Sequence, residues 1–257
     1  MSTPQRPQPQ GAGSDGVTRV ALWSGPRSVS TALLYSFAQR ADTRVVDEPL
    51  YAAYLAALPE VVHPGREEIL QSQPTDPQRV VDEVVLGPCD RPVLFMKHMA
   101  HHLLSGVDRG FLDRTVNVIL VRDPVEMLPS LSIQIPEPTV RDTGLDTQVE
   151  LARDLAAAGR PAPVLDSSAV LRDPRARLGE LCRYLGLELE ESMFSWTAGA
   201  RPEDGVWAPH WYHAVHKSTG FAPFRPKTDP FPERLRPLLE RCLPLYRELL
   251  ELAPELT

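Results

Sequence analysis

Three groups of polar residues in this 257-residue chain have types and spacings that suit the binding of a small anion. Residues 24–31 read Ser-Gly-Pro-Arg-Ser-Val-Ser-Thr, which combines a tight turn, a cation and hydroxyls just before a predicted helix. The free N–H groups and the positive dipole end of such a helix attract phosphate or sulfate. The loop lacks the Gly-Lys-Ser/Thr ending of a Walker A loop, which disfavours ATP or GTP with magnesium. A capped helix with a surface arginine is the alternative for this loop taken alone.

The second group is Arg122 with Ser130, eight positions further along the chain. Arg122 follows residues 115–121, the clearest predicted strand, and Ser130 falls about two turns into the next predicted helix. Both side chains can therefore hold one anion from the same side. A structural ion pair of Arg122 with Asp123 or Glu126 is the alternative.

The third group is the carboxylate pair Asp47 and Glu48, followed by Pro49. It closes a short predicted strand, and only one of the two successive side chains can face a cleft. A carboxylate beside an anion-binding loop is costly unless it acts as a base or orients a cation. A plain turn is the alternative here.

Short apolar runs alternate with helical segments along the chain. We predict strands at residues 17–23, 43–46, 92–96, 115–121 and 163–165, and helices at 29–39, 125–134, 147–158, 173–185 and 233–251. Ser28 or Ser30 is the expected N-cap of the first helix. Strands that are almost wholly apolar indicate a parallel sheet covered on both faces, a three-layer α/β/α fold. The three polar groups then meet at the carboxyl ends of the strands, where ligands of such folds bind.

Composition and charge narrow the class of protein. We expect a disordered N-terminal tail at residues 1–16 and one α/β domain at residues 17–257. The formal net charge of −7 argues against a nucleic-acid partner. Apolar runs are shorter than the ~20 residues of a membrane span and no signal peptide is recognised, which predicts a cytoplasmic protein. The 3 cysteines are too widely spaced for a metal site or a disulfide framework, and the oligomeric state stays open.

One long segment, residues 196–230, is rich in Trp, His and Pro and looks irregular. Such a stretch in a compact domain is either disordered or functional. Its Trp and Tyr residues favour an ordered lid or pocket wall, and they are Trp196, Trp207, Trp211 and Tyr212.

Taken in order, these motifs resemble those of the sulfotransferases that use 3′-phosphoadenosine 5′-phosphosulfate (PAPS). Residues 23–31 look like the 5′-phosphosulfate loop of that family, Arg122 and Ser130 look like its 3′-phosphate pair, and residues 165–187 resemble its later segment. The resemblance implies a P-loop NTPase-like fold, no metal, and the product adenosine 3′,5′-bisphosphate (PAP). It also implies a set of donor contacts, namely Arg27, Ser28, Val29, Ser30, Thr31, Arg122, Ser130 and Lys217.

The residues that would handle the proton also come from this resemblance. Glu48 and Pro49 are similar to a Glu-Pro dipeptide of the bacterial and carbohydrate-type branch, whose glutamate is the proposed base. The cytosolic branch instead has Lys-x-His after its third strand, and here Lys97 is followed by Met99 at the histidine position. The implied catalytic set is Glu48, Arg27, Lys97 and His101. Whether the base is Glu48 or a histidine stays open, the histidines being His98, His101 and His102.

The implied activity is transfer of a sulfuryl group from PAPS to a hydroxyl or amine of a small-molecule acceptor. Val29 stands where the cytosolic enzymes have glycine, and Ala32 where they have a tryptophan that stacks on adenine, so adenine contacts must come from elsewhere. Two alternatives remain at this point. One is a small-molecule kinase or other P-loop-like nucleotide enzyme, and the other is a non-catalytic relative that binds PAP or another anion.

Overall fold

Five parallel strands form the centre of the computed structural model, which describes residues 15–254. The strands are β1 (Thr18–Ser24), β2 (Thr43–Asp47), β3 (Val93–Met99), β4 (Val116–Val121) and β5 (Val164–Asp166). Their spatial order is β2-β3-β1-β4-β5, and each neighbouring pair is parallel. The loop that leaves the carboxyl end of β1 therefore emerges between β3 and β4, in the middle of the sheet edge.

Helices connect the strands and cover the sheet. The α-helices are α1 (Ser30–Phe37), α2 (Tyr51–Ala57), α3 (Arg66–Ser72), α4 (Pro77–Val80), α5 (Pro124–Leu131), α6 (Val140–Thr143), α7 (Leu145–Ala157), α8 (Ser167–Arg172), α9 (Pro174–Tyr184), α10 (Ala208–Trp211) and α11 (Arg236–Leu252). Short 3₁₀ turns lie at Ala100–His102, Arg109–Arg114, Glu191–Phe194, Val215–Lys217 and Glu233–Leu235, and a π-turn lies at Val81–Val85.

Alternate residues of β1 pack into two separate hydrophobic cores. Val20 and Leu22 point to the face covered by α1 and α9, where they meet Phe37. Ala21 and Trp23 point to the face covered by α5, α7 and α11. Since successive strand residues face opposite sides, burial on both faces requires the nearly continuous apolar strands seen in the sequence. The predicted three-layer α/β/α fold is confirmed.

Two local expectations were wrong. The third strand was predicted to end at residue 96, but β3 continues to Met99 and carries Lys97 inside the sheet. Helix α1 is not capped by Ser28 or Ser30. Its N-cap is Val29, whose φ of 58° lies in the left-handed region and whose side chain makes no capping hydrogen bond. Pairing of β3 with β1 and β2 on either side carries the strand to Met99.

Of the two segments expected to be irregular, the structure describes only one in full. Most of the predicted tail at residues 1–16 lies outside the described residues, and within the described part Asp15 forms an ion pair with Arg19. Residues 196–230 are ordered around buried aromatic side chains, including Trp207 and Tyr212. Among residues 15–254, the helices are all too short or too polar to cross a bilayer.

Candidate functional site

A cavity of about 360 Å³ opens at the carboxyl edge of the sheet, where the three polar groups meet. Its walls come from the loop after β1, the ends of β2, β3 and β4, and the segment after α10. The polar residues that line it include Arg27, Ser28, Ser30, Thr31, Glu48, Lys97, His101, His102, Arg122 and Tyr212. The topology of a doubly wound sheet places ligands here, and the structure brings the predicted residues to that place.

The loop after β1 is held by its neighbours rather than by its own side chains alone. Ser28 donates to the carbonyl of Gly25 at 2.6 Å, and Ser167 donates to the carbonyl of Ser28 at 2.8 Å. A Cβ on Gly25 would lie 2.8 Å from the carbonyl oxygen of Thr143, so glycine permits this close packing. The backbone of Arg27 and Val29 adopts positive φ. The loop is therefore a fixed cradle at the N-terminus of α1.

Arg27 and Arg122 meet at one end of the cavity. The Arg122 Nη1 atom donates to the backbone oxygen of Arg27 at 2.6 Å, and Arg27 Nε donates to Ser130 Oγ at 2.9 Å. Arg27 thus links Arg122 and Ser130, the two residues predicted to hold one anion together. Glu126 lies 3.5 Å from Arg122, so the alternative ion pair is present as well, at the limit of hydrogen bonding.

This end of the cavity carries excess positive charge. Burial lowers the pKa of Arg27 and of Arg122, and the charge of Arg122 lowers that of Arg27 further. The pKa of Lys227 is also lowered, by burial and then by the charges of Arg122 and Arg27. Cations that destabilise one another in this way favour an anionic ligand. We call Arg27, Arg122, Ser130 and Lys227 the cationic end.

At the other end, Lys97 holds two carboxylates. Its ammonium lies 2.6 Å from Glu48 Oε1 and 2.8 Å from Asp47 Oδ1, and all three side chains are buried. It also lies 3.5 Å from Thr31 Oγ1 of α1. As predicted, only one of the two carboxylates, Glu48, lines the cavity. Lys97 can bind both carboxylates because it belongs to β3, which pairs with β2 and places Lys97 beside Asp47.

Tyr212 completes this buried network from the segment after α10. Its hydroxyl donates to Asp47 Oδ2 at 2.5 Å, accepts from Lys97 at 2.6 Å and accepts from Trp207 Nε1 at 3.1 Å. The side chain of Glu48 is thereby fixed through Lys97, while its Oε2 atom is turned away from that ion pair toward His102. We call Asp47, Glu48, Lys97 and Tyr212 the carboxylate network.

The protonation of the network is set mainly by burial. Burial raises the pKa of Glu48, Lys97 opposes the rise, and the nearby charge of Asp47 adds to it. The pKa of Lys97 is also raised, because the attraction of Asp47 and Glu48 outweighs its burial. A buried carboxylate with a raised pKa, aimed into a cavity, suits a group that takes up a proton.

Aromatic and histidine side chains build the wall beside Glu48. Tyr51 and Tyr54 of α2 stack on His102, and the Tyr51 hydroxyl lies 2.5 Å from His63 Nδ1. Burial lowers the pKa of His101 to about 4 and the pKa of His102 well below its ordinary value. These rings are therefore neutral at pH 7 and present an uncharged wall.

The structure brings most predicted site residues to the cavity. Its lining includes Arg27, Ser28, Val29, Ser30, Thr31, Glu48, Lys97, His101 and Arg122, and Ser130 joins it through Arg27. Lys217 is exposed and is not among the lining residues. His98 is buried against Trp23, with the two rings stacked 4.2 Å apart, and does not line the cavity either.

Sequence reasoning missed several residues of the site. Lys227 lies in a proline-rich stretch with no motif, and Tyr51, Tyr54 and His63 follow no chemical spacing that would mark them. Only the helical spacing of Tyr51 and Tyr54, three positions apart, hinted that they share a face. Their role depends on which surface α2 packs against, which is a tertiary fact.

Comparison with known proteins decides the family of this chain. Residues 18–253 match the family described as a sulfotransferase domain. The chain belongs to the sulfotransferase family. Two relatives from Arabidopsis thaliana, branched-chain-amino-acid aminotransferase-like proteins 1 and 2, are 42% and 41% identical over 200 and 213 residues. These matches cover 78% and 83% of this chain but only 36% and 38% of the relatives, so the chain spans less than two fifths of their length.

Solved structures of sulfotransferases share the fold. The sulfotransferase domain of the Synechococcus PCC 7002 olefin synthase superposes with a TM-score of 0.51 at 16% identity, covering 93% of this chain and 98% of that domain. The sulfotransferase from Alicyclobacillus acidocaldarius gives 0.53 at 13% identity, with coverage of 91% and 95%. At such identities the likeness concerns the sulfotransferase fold alone.

Proposed function

We propose that this member of the sulfotransferase family transfers a sulfuryl group from PAPS to a hydroxyl or amine of a small molecule. The observation that carries the proposal is one cavity with two unlike ends. Arg27 and Arg122 supply excess positive charge at one end, and the buried carboxylate of Glu48 lies at the other. A donor with phosphates on both its 3′ and 5′ sides matches the first end, and an acceptor that must lose a proton matches the second.

The donor would be held mainly by fixed groups. The N-terminus of α1 has no side-chain cap, so its N–H groups are available to the 5′ phosphosulfate together with the hydroxyls of Ser30 and Thr31. Arg122 and Ser130 would hold the 3′ phosphate, and Lys227 would add positive charge nearby. Arg27 contacts both Arg122 and Ser130. It would therefore lie between the two phosphates, and binding of one would affect the site of the other.

Glu48 would take the acceptor proton. As the acceptor atom bonds to sulfur, its proton passes to Glu48 and the bond between sulfur and the 5′-phosphate oxygen breaks. Arg27 and the N–H groups of α1 would stabilise the charge that grows on the departing phosphate. Lys97 would keep Glu48 in position and, through its 3.5 Å approach to Thr31, connect the base to the donor loop. Proton transfer of this kind contributes roughly 10²–10⁴ in rate.

Thermal shift with purified protein tests the donor site first. A ligand that binds only the folded protein, at about 100 times its dissociation constant, adds about 2.7 kcal/mol to the unfolding free energy. We expect PAP to raise the melting temperature and ATP with Mg²⁺ to leave it unchanged. The reverse pattern would contradict the proposal and favour a kinase.

Transfer from ³⁵S-labelled PAPS to a panel of small hydroxyl and amine compounds then tests the activity. Labelled product that depends on Glu48 would support the proposed enzyme. Tight PAP binding with no transfer across the panel would instead identify a binding protein.

A further inference from the structure

The His102 ring is held in one orientation beside the carboxylate network. It lies in the short turn that follows β3, and its ring stacks on Tyr51 and Tyr54 with centroid distances of 4.4 and 4.6 Å. Interplanar angles of 21° and 28° show near-parallel stacking in both cases. Two stacking partners on the same helix fix the plane of the imidazole and hence the direction of its nitrogens.

One of those nitrogens has no hydrogen-bond partner in the part of the chain that the structure describes. His102 Nδ1 is buried and makes no hydrogen bond to any other part of residues 15–254. A buried polar atom without a partner costs free energy, so a position of this kind normally receives a ligand or water. His102 lines the cavity, so this unpartnered nitrogen lies in the cavity wall.

The nearest anionic atom is the free oxygen of the candidate base. His102 Nδ1 lies 3.9 Å from Glu48 Oε2, too far for a direct hydrogen bond. An oxygen placed about 2.8 Å from each atom would bridge the two with ordinary geometry. The other carboxylate oxygen, Oε1, is already occupied by Lys97.

We propose that Glu48 Oε2 and His102 Nδ1 together hold the acceptor hydroxyl, which makes His102 a substrate-contacting residue. This inference rests on the proposed sulfuryl transfer. The wall beside the pair is aromatic, because Tyr51 stacks on His102 and Trp211 lies near Tyr51 through His63. The acceptor hydroxyl is therefore carried by a flat, uncharged group.

The arrangement assigns a direction to each hydrogen bond. The acceptor hydroxyl donates its proton to Glu48 Oε2 and accepts from the N–H of a neutral His102, which leaves a lone pair on the oxygen for the sulfur. The oxygen–sulfur bond forms, the bond from sulfur to the 5′-phosphate oxygen breaks, and the proton stays on Glu48. The lowered pKa of His102 agrees with a ring that orients the hydroxyl without taking its proton.

The neighbouring histidines lack this combination of features. His98 also has ring nitrogens without partners, but it is stacked on Trp23 and outside the cavity lining. His101 lines the cavity, yet within the described residues His102 alone among the histidines comes within 4.0 Å of a Glu48 oxygen. The predicted catalytic histidine His101 is thus less well placed than its neighbour.

Substitutions at His102 separate hydrogen bonding from packing. His102→Phe keeps a stacked ring and deletes the nitrogen, while His102→Leu and His102→Asn have nearly the same shape and differ in the polar atom near Nδ1. With PAPS and 2-naphthol as the probe acceptor, we expect kcat/KM to fall about tenfold or more in the Phe and Leu variants. We expect the Asn variant to recover much of this loss. Calorimetry should give unchanged PAP affinity in all three variants.

The matched control is His98→Phe, the same exchange in another buried, stacked histidine. We expect wild-type kcat/KM from it. Wild-type kcat/KM in both His102→Phe and His102→Leu would overturn the assignment, as would equal losses in the Asn and Leu variants. Failure of the wild-type protein to sulfate 2-naphthol while it binds PAP would also overturn it. Failure to bind PAP would instead contradict the proposed function itself, so the two failures are distinguishable.

Discussion

The cationic end and the carboxylate network of the same cavity are built in different ways. The cationic end comes largely from two short motifs, each directly after a strand, and its arginines are partly open to solvent. The carboxylate network joins residues up to 165 positions apart and is almost fully buried. Anion binding needs local backbone N–H groups and charge, which one loop and helix can supply. A proton acceptor needs desolvation, which only the assembled fold can supply.

The two ends also differ in how their charges are balanced. At the cationic end, burial and then the charge of Arg122 lower the pKa of Arg27 and of Lys227, and Glu126 lies only at the limit of hydrogen bonding to Arg122. In the network, Lys97 neutralises carboxylates that would otherwise be too costly to bury. The cationic end therefore favours an anionic ligand, whereas the carboxylate network contains its own cation. Variants that damage one end and spare the other test this division.

The largest effect is expected from Glu48→Gln. Glutamine keeps the size and one hydrogen-bond acceptor for Lys97 but cannot take up the acceptor proton. Turnover should fall roughly 100-fold, since general-base catalysis contributes about that much or more. Single-turnover transfer from labelled PAPS measures the loss, and PAP affinity measured by calorimetry should be unchanged. Wild-type turnover would remove Glu48 from the role of base.

The pH dependence of kcat/KM also tests Glu48 as the base. Because burial raises the pKa of Glu48, the ionised base is lost at a higher pH than for an ordinary glutamate. kcat/KM should therefore rise as the pH increases through this raised pKa, and the acid limb should vanish in Glu48→Gln. A profile of kcat/KM between pH 4 and 9 checks both statements. An acid limb at or below the ordinary glutamate pKa would contradict them.

Arg122→Gln is expected to damage the cationic end and to spare the carboxylate network. Loss of a hydrogen bond to a charged group should lower PAP affinity by roughly tenfold to a hundredfold. The affinity for 5′-AMP, which has no 3′ phosphate, should change much less. Calorimetry with both nucleotides makes the comparison, and Arg153→Gln, which breaks an exposed pair with Glu248, is the control. Equal losses for PAP and 5′-AMP would place Arg122 at the 5′ side.

A smaller effect on stability is expected from Tyr212→Phe. Asp47 Oδ2 would lose its 2.5 Å hydrogen bond, and Lys97 and Trp207 would each lose an acceptor. Buried groups left without partners should lower the unfolding free energy by about 1–3 kcal/mol. Urea unfolding measures this, with Tyr184→Phe as the control, because the Tyr184 hydroxyl makes no hydrogen bond within the described residues. Equal stability of the two variants would show that the network does not depend on Tyr212.

The sequence was sufficient to predict features that depend on residues close to one another in the chain. The fold class could be predicted because strands that are buried on both faces consist almost wholly of apolar residues. The loop at residues 24–31 and the pair Arg122 and Ser130 were recognisable because a strand end followed by a helix start places them together. A cytoplasmic location, the single domain at residues 17–257 and Lys217 as a donor contact stay predictions from the sequence.

The rest depended on tertiary packing. Val29 as an N-cap goes against the local preference of a β-branched residue, whose left-handed backbone is held by the surrounding structure. His102 could not be singled out among neighbouring histidines, because the stack on Tyr51 and the distance to Glu48 arise only when α2 packs beside the turn that follows β3. Lys227 approaches Arg122 from a segment with no regular structure at all.

The backbone of Glu48 has a consequence for motion. Its N–H donates to the carbonyl of Lys97 at 2.8 Å, continuing the pairing of β2 with β3, and its carbonyl accepts from Gln73 at 3.1 Å. Exchange of this amide with deuterium should require opening of the sheet itself, whereas amides of the uncapped start of α1 exchange through small local fluctuations. The backbone of Glu48 is thus held by the sheet and by Gln73, so its carboxylate keeps one position in the cavity wall.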